Sequence, residues 1–241
     1  MQDLLTAVDL TISFGRFKAV NALSFELREG EILGVIGPNG AGKSTLMNAL
    51  SGVLKLESGR IHLKGRDITH LSPAQKCGLG IGRTYQIPRP FVNMTVFENV
   101  LVGGVHGALM REREARKRTL EILALVGLWE KRDLRAGRLD LLDRKALEVA
   151  RALATNPSVL LLDEVAAGLT EREMEKIIAD IKAVRERGVT IIWIEHVLQM
   201  MLEGVDRIMC MAMGQKIMCG EPRETIESPE VQQCYLGVEE N

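Results

Sequence analysis

The apolar run Ile32-Leu33-Gly34-Val35-Ile36 leads directly into Gly37-Pro38-Asn39-Gly40-Ala41-Gly42-Lys43-Ser44-Thr45, and Leu46-Met47-Asn48-Ala49-Leu50 follows. This order predicts a buried strand, a glycine-rich turn and an amphipathic helix. Glycines let the backbone curl until successive N–H groups face inward and form a nest for an anion. A helix starting near Lys43 adds the positive end of its dipole to the same place.

Gly37, Gly42, Lys43 and Ser44 fit the pattern G-x-x-x-x-G-K-[ST], the P-loop of nucleotide triphosphatases. Lys43 is expected to reach the β- and γ-phosphates, and the Ser44 hydroxyl to ligate Mg²⁺. The competing explanation is a chance glycine turn before a helix. It has to account for strand, loop and helix all standing in the required order.

The chain has 241 residues, enough for one or two domains with a sizeable core. Hydrophobic residues make up 46% and charged residues 26%, a globular composition. A net charge of -1 gives no broad electrostatic footprint for nucleic acid, and no nucleic-acid partner is expected. No run approaches the ~18 apolar residues of a membrane span. Met1-Gln2-Asp3-Leu4-Leu5 lacks the basic start and long apolar core of a signal peptide. Cys77, Cys210, Cys219 and Cys234 show no C-x-x-C spacing and read as reduced thiols. The methionines at 200, 201 and 209–218 read as core filler.

Along the chain, residues 2–12 alternate as a strand, with Leu4, Thr6, Val8, Leu10 and Ile12 on one side. A turn at Phe14-Gly15-Arg16-Phe17 leads to a second strand over 18–28, with Val20, Leu23, Phe25 and Leu27 apolar. Residues 59–65 form a short strand, and Ser72 caps a helix opened by Pro73. Residues 81–86 read as a strand that Pro88 and Pro90 stop. Thr95 and Glu98 make a capping box for a helix to Val102. Further helices are predicted over 110–126, with Leu120, Leu123 and Leu125 in contact, and over 141–154. Strands return at 159–164 and 189–196 around a helix over 170–187, with Met174, Ile177, Ile178, Ile181 and Val184 on one face. A hairpin over 205–220, turning at Met213-Gly214-Gln215, precedes a last helix from Pro229.

Three predicted buried strands end in polar groups: at Gly37, at Asp163-Glu164 and at His196. Ligands of parallel α/β sheets bind beyond the carboxyl ends of the strands, so these groups are expected to converge on one nucleotide. Asp163 follows four apolar residues and suits Mg²⁺, directly or through water. Glu164 beside it suits a general base for the attacking water. His196 would hydrogen-bond the γ-phosphate and that water, and Gln86 would sense Mg²⁺ and the γ-phosphate. Blander uses stand beside each: a carboxylate capping the next turn, a satisfied strand-end histidine, a solvated loop glutamine.

In this order, the residues resemble the nucleotide-binding subunits of ABC transporters over nearly the whole chain. The resemblance assigns Gly37, Asn39, Gly40, Ala41, Gly42, Lys43, Ser44 and Thr45 to Walker A and Gln86 to the Q-loop. It assigns Asp163 and Glu164 to Walker B with its glutamate, and His196 to the H-loop. Phe14, 29 residues before Lys43, takes the place of the adenine-stacking aromatic, with a core phenylalanine as the alternative. The fold implied is α/β: a P-loop NTPase ABC ATPase core with an antiparallel β subdomain, over 1–86 and 155–241, and an inserted α-helical subdomain over 87–154. The activity implied is transport-coupled ATP hydrolysis, with ATP and Mg²⁺ as cofactors and Ser44, Gln86 and Asp163 on the metal. The partners implied are a second ATP-binding subunit, two transmembrane permease subunits and, indirectly, a periplasmic or surface solute-binding protein. The place implied is peripheral, on the cytoplasmic face of the membrane.

A narrower resemblance runs through residues 83–91, 94–100 and 166–169 and the ending Tyr235-Leu236-Gly237. These segments resemble importers of branched-chain and other amphipathic amino acids. A lipopolysaccharide-export ATPase, or a regulatory ABC ATPase without a permease, are the alternatives. The chain departs from the family at its signature. Leu147 to Leu153 fixes the register, so LSGGQ falls on Leu139-Asp140-Leu141-Leu142-Asp143. In the family the signature serine and glycine N–H groups bind the γ-phosphate held by the opposite subunit. A carboxylate at Asp140 repels that phosphate, and Leu142 puts a side chain where backbone must come close. Asp140 nevertheless remains a good helix N-cap, with Asp143 favouring the dipole. An asymmetric heterodimer is therefore expected, in which this chain's Walker A and B work with a partner's intact signature.

Overall fold

The computed structural model describes residues 3–236, so Gly237 of the terminal motif lies outside the described residues. The chain forms two compact units, one of Met1–Pro73 with Thr190–Asn241, the other of Ala74–Val189.

The first unit opens with β1 (Asp3–Phe14) and β2 (Phe17–Arg28), then β3 (Ile32–Ile36), α1 (Lys43–Leu50), β4 (Ser58–Leu63) and β5 (Arg66–Asp67). An antiparallel sheet runs in the order β2-β1-β4-β5. The expected face of β1 needs correcting. Leu4 is buried as expected, but so are Leu5 and Ala7, while Thr6 is half-buried and Val8 exposed; after the break Leu10 and Ile12 are buried. The cause is a bulge: Asp9 and Ala22 both take positive φ, and the pairing of β1 with β2 shifts between Ala7 and Leu10. Extra residues at a bulge flip the side-chain phase. The expected face of β2 stands, with Val20, Leu23, Phe25 and Leu27 buried.

The second unit contains α2 (Pro73–Gly78, whose first residue belongs to the first unit), β6 (Ile81–Arg83), α3 (Val96–Val102), α4 (Glu112–Leu125), α5 (Leu141–Ala154), β7 (Val159–Asp163) and α6 (Glu171–Glu186). β6 lies parallel to β7, with Arg83 opposite Leu161. The strand expected to reach Gln86 ends at Arg83, although Thr84 N–H still donates to the Leu161 carbonyl at 2.9 Å. Pro88 and Pro90 have no N–H for a ladder, and the chain leaves the sheet ahead of them. α3 carries the Thr95/Glu98 capping box expected of it. It continues through a single wide turn, Gly103–Gly107, that sequence periodicity does not announce. On α4 the buried residues are Ala115, Thr119, Ile122 and Leu123; Leu120 and Leu125 are half-buried. The stripe 115/119/122 has helical spacing, and Leu120 and Leu125 flank it. On α6, Ile177, Ile178, Ile181 and Val184 are buried and Met174 is half-buried.

The first unit resumes with β8 (Thr190–Ile194), α7 (Leu198–Gly204), β9 (Arg207–Ala212), β10 (Gln215–Gly220), α8 (Pro222–Glu227) and α9 (Pro229–Leu236). β3 pairs parallel with β8 on one side and β9 on the other, placing Gly34 between Trp193 and Ile208. All five residues of β3 and of β8 are buried, as an apolar run in a covered parallel sheet requires. β9 and β10 form the expected hairpin, turning on Met213 and Gly214 with φ +48° and +76°. Two positive φ values mark the turn whose twist suits a tight hairpin. Met200, Met201, Met209 and Met211 are buried, as core filler should be, whereas Met213 at the turn is exposed. Among the described residues no helix is long and apolar enough to cross a membrane.

Candidate nucleotide-binding site

In the first unit, β3 delivers the chain to the loop Gly37–Thr45 and α1 takes it away. Gly37 and Gly42 have φ of +148° and +98°. A Cβ at Gly37 would lie 2.0 Å from the Met211 carbonyl oxygen, and one at Gly42 would lie 2.2 Å from that of Ala19. Only glycine meets both the backbone angle and the space. The β9–β10 turn grips this loop: Gly214 N–H donates to the Ala41 carbonyl at 3.1 Å, and the Gly214 carbonyl accepts from Asn21 N–H at 2.9 Å.

The start of α1 has no side-chain cap and no acidic residue in its first turn. No side-chain carboxylate of its first turn offsets the positive end of its dipole, which favours an anion. Lys43 is buried, and its ammonium donates to the carbonyls of Gly37 at 2.6 Å and Pro38 at 3.0 Å. Ala41 is buried, Thr45 half-buried, and Asn39, Gly40 and Ser44 are exposed. Burial, its largest cause, pushes the Cys210 thiol up to about 12 with Lys43 nearby, so Cys210 is a neutral packing group there.

Phe14 ends β1 and pairs with Phe17 across the turn; the rings are 54% and 62% exposed. That exposure removes the core reading of Phe14 and adds Phe17, which sequence spacing missed, as a second open aromatic face. His196 follows β8 and is exposed, while Glu195 before it is buried and accepts from Trp193 Nε1 at 3.3 Å. The polar pair at this strand end thus splits, one member facing the core.

In the second unit the structure brings together three of the expected residues. Asp163 ends β7, Glu164 follows it, and both are buried. Gln86 Nε2 donates to Glu164 Oε2. Glu164 has φ +49°, a left-handed conformation costly for a residue with a Cβ. Three side chains that the sequence did not single out hold this corner. Arg83 Nη2 lies 3.3 Å from Asp163 Oδ2. Thr84 Oγ1 accepts from Asp163 N–H at 3.2 Å. Lys145 Nζ donates to the Glu164 carbonyl at 3.0 Å. A signal for Lys145 existed: it sits on the apolar stripe of α5 beside Leu142 and Val149, where an ammonium needs an acceptor.

The segment after Gln86 is tied to α3 and α5. Asn99, fully buried, accepts from Phe91 N–H at 2.8 Å and donates to the Phe91 and Thr95 carbonyls at 3.1 and 2.9 Å. Arg151 donates to the Arg89 carbonyl at 2.9 Å and to Glu148 at 3.1 Å, with its guanidinium over the Phe91 ring. Burial, above all, raises the Glu148 carboxyl above its ordinary value, against Arg151 and backbone hydrogen bonds from Tyr85 and Arg89. Tyr85, Ile87, Phe91 and Val92 are exposed apolar groups on this segment.

The stretch 139–143 starts α5. Asp140 is its N-cap, and its Oδ1 accepts from Asp143 N–H at 2.9 Å. Asp143 is buried and paired with Lys131, whose ammonium is stabilised chiefly by that hydrogen bond. Leu142 is half-buried. Asp140 thus caps one N–H of the helix start, that of Asp143, and places an exposed carboxylate where an anion would approach.

Residues 20–167 match the family model described as "ABC transporter". The chain is 34% identical to the probable branched-chain amino acid transport ATP-binding protein LivG of Methanocaldococcus jannaschii, over 98% of both chains. It is 37% identical to the high-affinity branched-chain amino acid transport ATP-binding protein LivG of Salmonella typhimurium, again over 98% of each. Among solved structures it is similar to an ATP-binding cassette of an ABC transporter in its ADP conformation. There the TM-score is 0.91 and the identity 33%, over 98% of this chain and 100% of that one.

Proposed function

Because the chain belongs to the ABC transporter family of ATPases, we propose that it drives import of branched-chain or other amphipathic amino acids, as one half of an asymmetric pair of ATP-binding subunits. The near-full-length likeness to relatives named for that transport supports the substrate class. The single observation that carries the asymmetry is the start of α5, capped by Asp140, in a chain whose Gly37–Thr45 loop is intact.

The chemistry divides by residue. Lys43 exchanges the Gly37 and Pro38 carbonyls for phosphate oxygens, and the N–H groups from Gly40 to Thr45 cradle the same phosphates. Phe14, with Phe17 beside it, offers an open ring to the adenine. Ser44, Gln86 and Asp163 offer a hydroxyl, an amide oxygen and a carboxylate. These are hard oxygen donors with a single charge among them, a set that suits Mg²⁺ completing its shell with phosphate and water. When bound, Mg²⁺ supplies neutralisation of phosphate charge. Glu164 takes the proton of the attacking water once Gln86 releases its carboxylate. His196 hydrogen-bonds the γ-phosphate and steadies that water.

The core over 1–86 and 155–241 binds nucleotide in this scheme. The helical subdomain over 87–154, with the segment after Gln86, receives one of two permease subunits. The chain sits peripherally on the cytoplasmic face of the membrane, served indirectly by a solute-binding protein. ATP favours the closed pair of subunits, and hydrolysis reopens it.

The test is reconstitution. Alone, the purified chain should turn over ATP slowly, and a partner ATPase with an intact signature should restore turnover. Brisk hydrolysis by the chain alone would remove the asymmetry. In the restored pair, Glu164→Gln should keep nucleotide and lose hydrolysis. Proteoliposomes carrying the pair with its permeases should take up leucine or isoleucine; outward lipid movement would favour the export reading.

A further inference from the structure

We propose that Arg83 is the resident counter-charge of Asp163 and sets how tightly the nucleotide-loaded protein holds Mg²⁺. This rests on the reading of Asp163 as the metal carboxylate. Arg83 ends β6, and its Nη2 lies 3.3 Å from Asp163 Oδ2, with the side chains only 8% and 6% exposed. The guanidinium also sits 5.0 Å from the centre of the Tyr85 ring, which holds it from another side. Thr84, the next residue, accepts from Asp163 N–H. Two neighbouring residues at the end of one strand therefore fix both the backbone and the carboxylate of Asp163.

A buried ion pair is a poor way to gain stability, since two apolar side chains of similar size serve as well. At this carboxylate it has a different use. The guanidinium keeps the Asp163 carboxylate aimed when no divalent cation is near. Its own charge is permanent, so it still opposes a cation that approaches the carboxylate. One unit charge about 6 Å from a divalent ion, even in water-like surroundings, changes affinity about tenfold. Arg83 thereby keeps Asp163 ready and makes the metal exchangeable.

The test titrates Mg²⁺ into the full chain with a fluorescent, non-hydrolysable ATP analogue and reads the midpoint of the Mg²⁺-dependent signal. Arg83→Gln should lower that midpoint about tenfold. Arg83→Lys, which keeps the charge through what is a single N–O contact, should stay within about twofold of the unaltered protein. An Arg83→Gln midpoint that is unmoved or raised overturns the proposal. Asp163→Asn separates the premise: if it leaves the midpoint where it was, Asp163 does not serve the metal, and the proposal falls with that reading. A shifted Asp163→Asn beside an unshifted Arg83→Gln rejects Arg83 alone. Should Arg83→Gln not fold, Arg83→Lys decides, because a tenfold fall there contradicts a role carried by charge.

Discussion

Lys145 Nζ donates to the backbone carbonyl of Glu164 at 3.0 Å, and both residues are buried. The helix that begins at the altered signature therefore holds the one residue proposed as general base, whose backbone is at φ +49°. Lys145→Met removes this donor and leaves the Glu164 carbonyl with the longer bond from Ala167 N–H at 3.3 Å, at a cost of about 1 kcal/mol. The expected result is a lower melting temperature and reduced turnover in the reconstituted pair, with nucleotide affinity unchanged. Turnover equal to that of the unaltered protein would show that Lys145 does not position Glu164.

The glycines of the Gly37–Thr45 loop should respond unequally. Gly40 has φ +79° with open space around its missing Cβ, so Gly40→Ala costs only the left-handed backbone, ~1–2 kcal/mol. Gly42→Ala adds the collision with the Ala19 carbonyl, a further ~1–3 kcal/mol. Chemical denaturation of the two variants checks the order, and equal loss would contradict it.

Glu148 gives a prediction about pH. Burial raises its carboxyl above the ordinary 4.5. A carboxyl raised in the folded state binds more protons there than in the unfolded chain, so stability falls as pH rises through the window from 4.5 upward. Glu148→Gln lacks that dependence. The unaltered protein should therefore gain on Glu148→Gln as pH is lowered through the window. Paired denaturation curves at several pH values read this gap, which cancels carboxylates common to both. A gap that is flat, or that widens in favour of Glu148→Gln on acidification, would refute it.

At the start of α5, Asp140→Ser together with Leu142→Gly should restore an anion site while keeping a cap, because serine replaces aspartate as an N-cap at little cost. The glycine costs about 1 kcal/mol of helix stability. ATP turnover by the purified chain should rise at least about tenfold, the equivalent of 1.4 kcal/mol in the barrier. If it does not rise, the defect does not lie in Asp140 and Leu142 alone.

What could be read in the chain beforehand divides by distance along it. The turn between β3 and α1 and the strand that ends at Asp163 were legible because strand, turn and helix follow one another within a few residues. Thr95 with Glu98 and Asp140 as a cap are equally local. Arg83 and Asp163 lie 80 positions apart, and Lys145 and Glu164 lie 19 apart. No local period records such meetings. The bulge at Asp9 was hidden for another reason: Leu4 and Leu5 fill both phases of the strand, so alternation could not say which one faces inward. Helices α7 and α8 have seven and six residues, too few to display an apolar stripe.

Asp140 also bears on stoichiometry. A pair of subunits with sound signatures has two seats able to split ATP. With this chain's carboxylate closing one of them, the proposed pair has a single productive seat, while the other can at most hold its nucleotide as a fixed part of the interface. Each opening would then consume one ATP in place of one from either side. Counting phosphate released per amino acid delivered thus reads the state of one helix cap through the energy cost of transport.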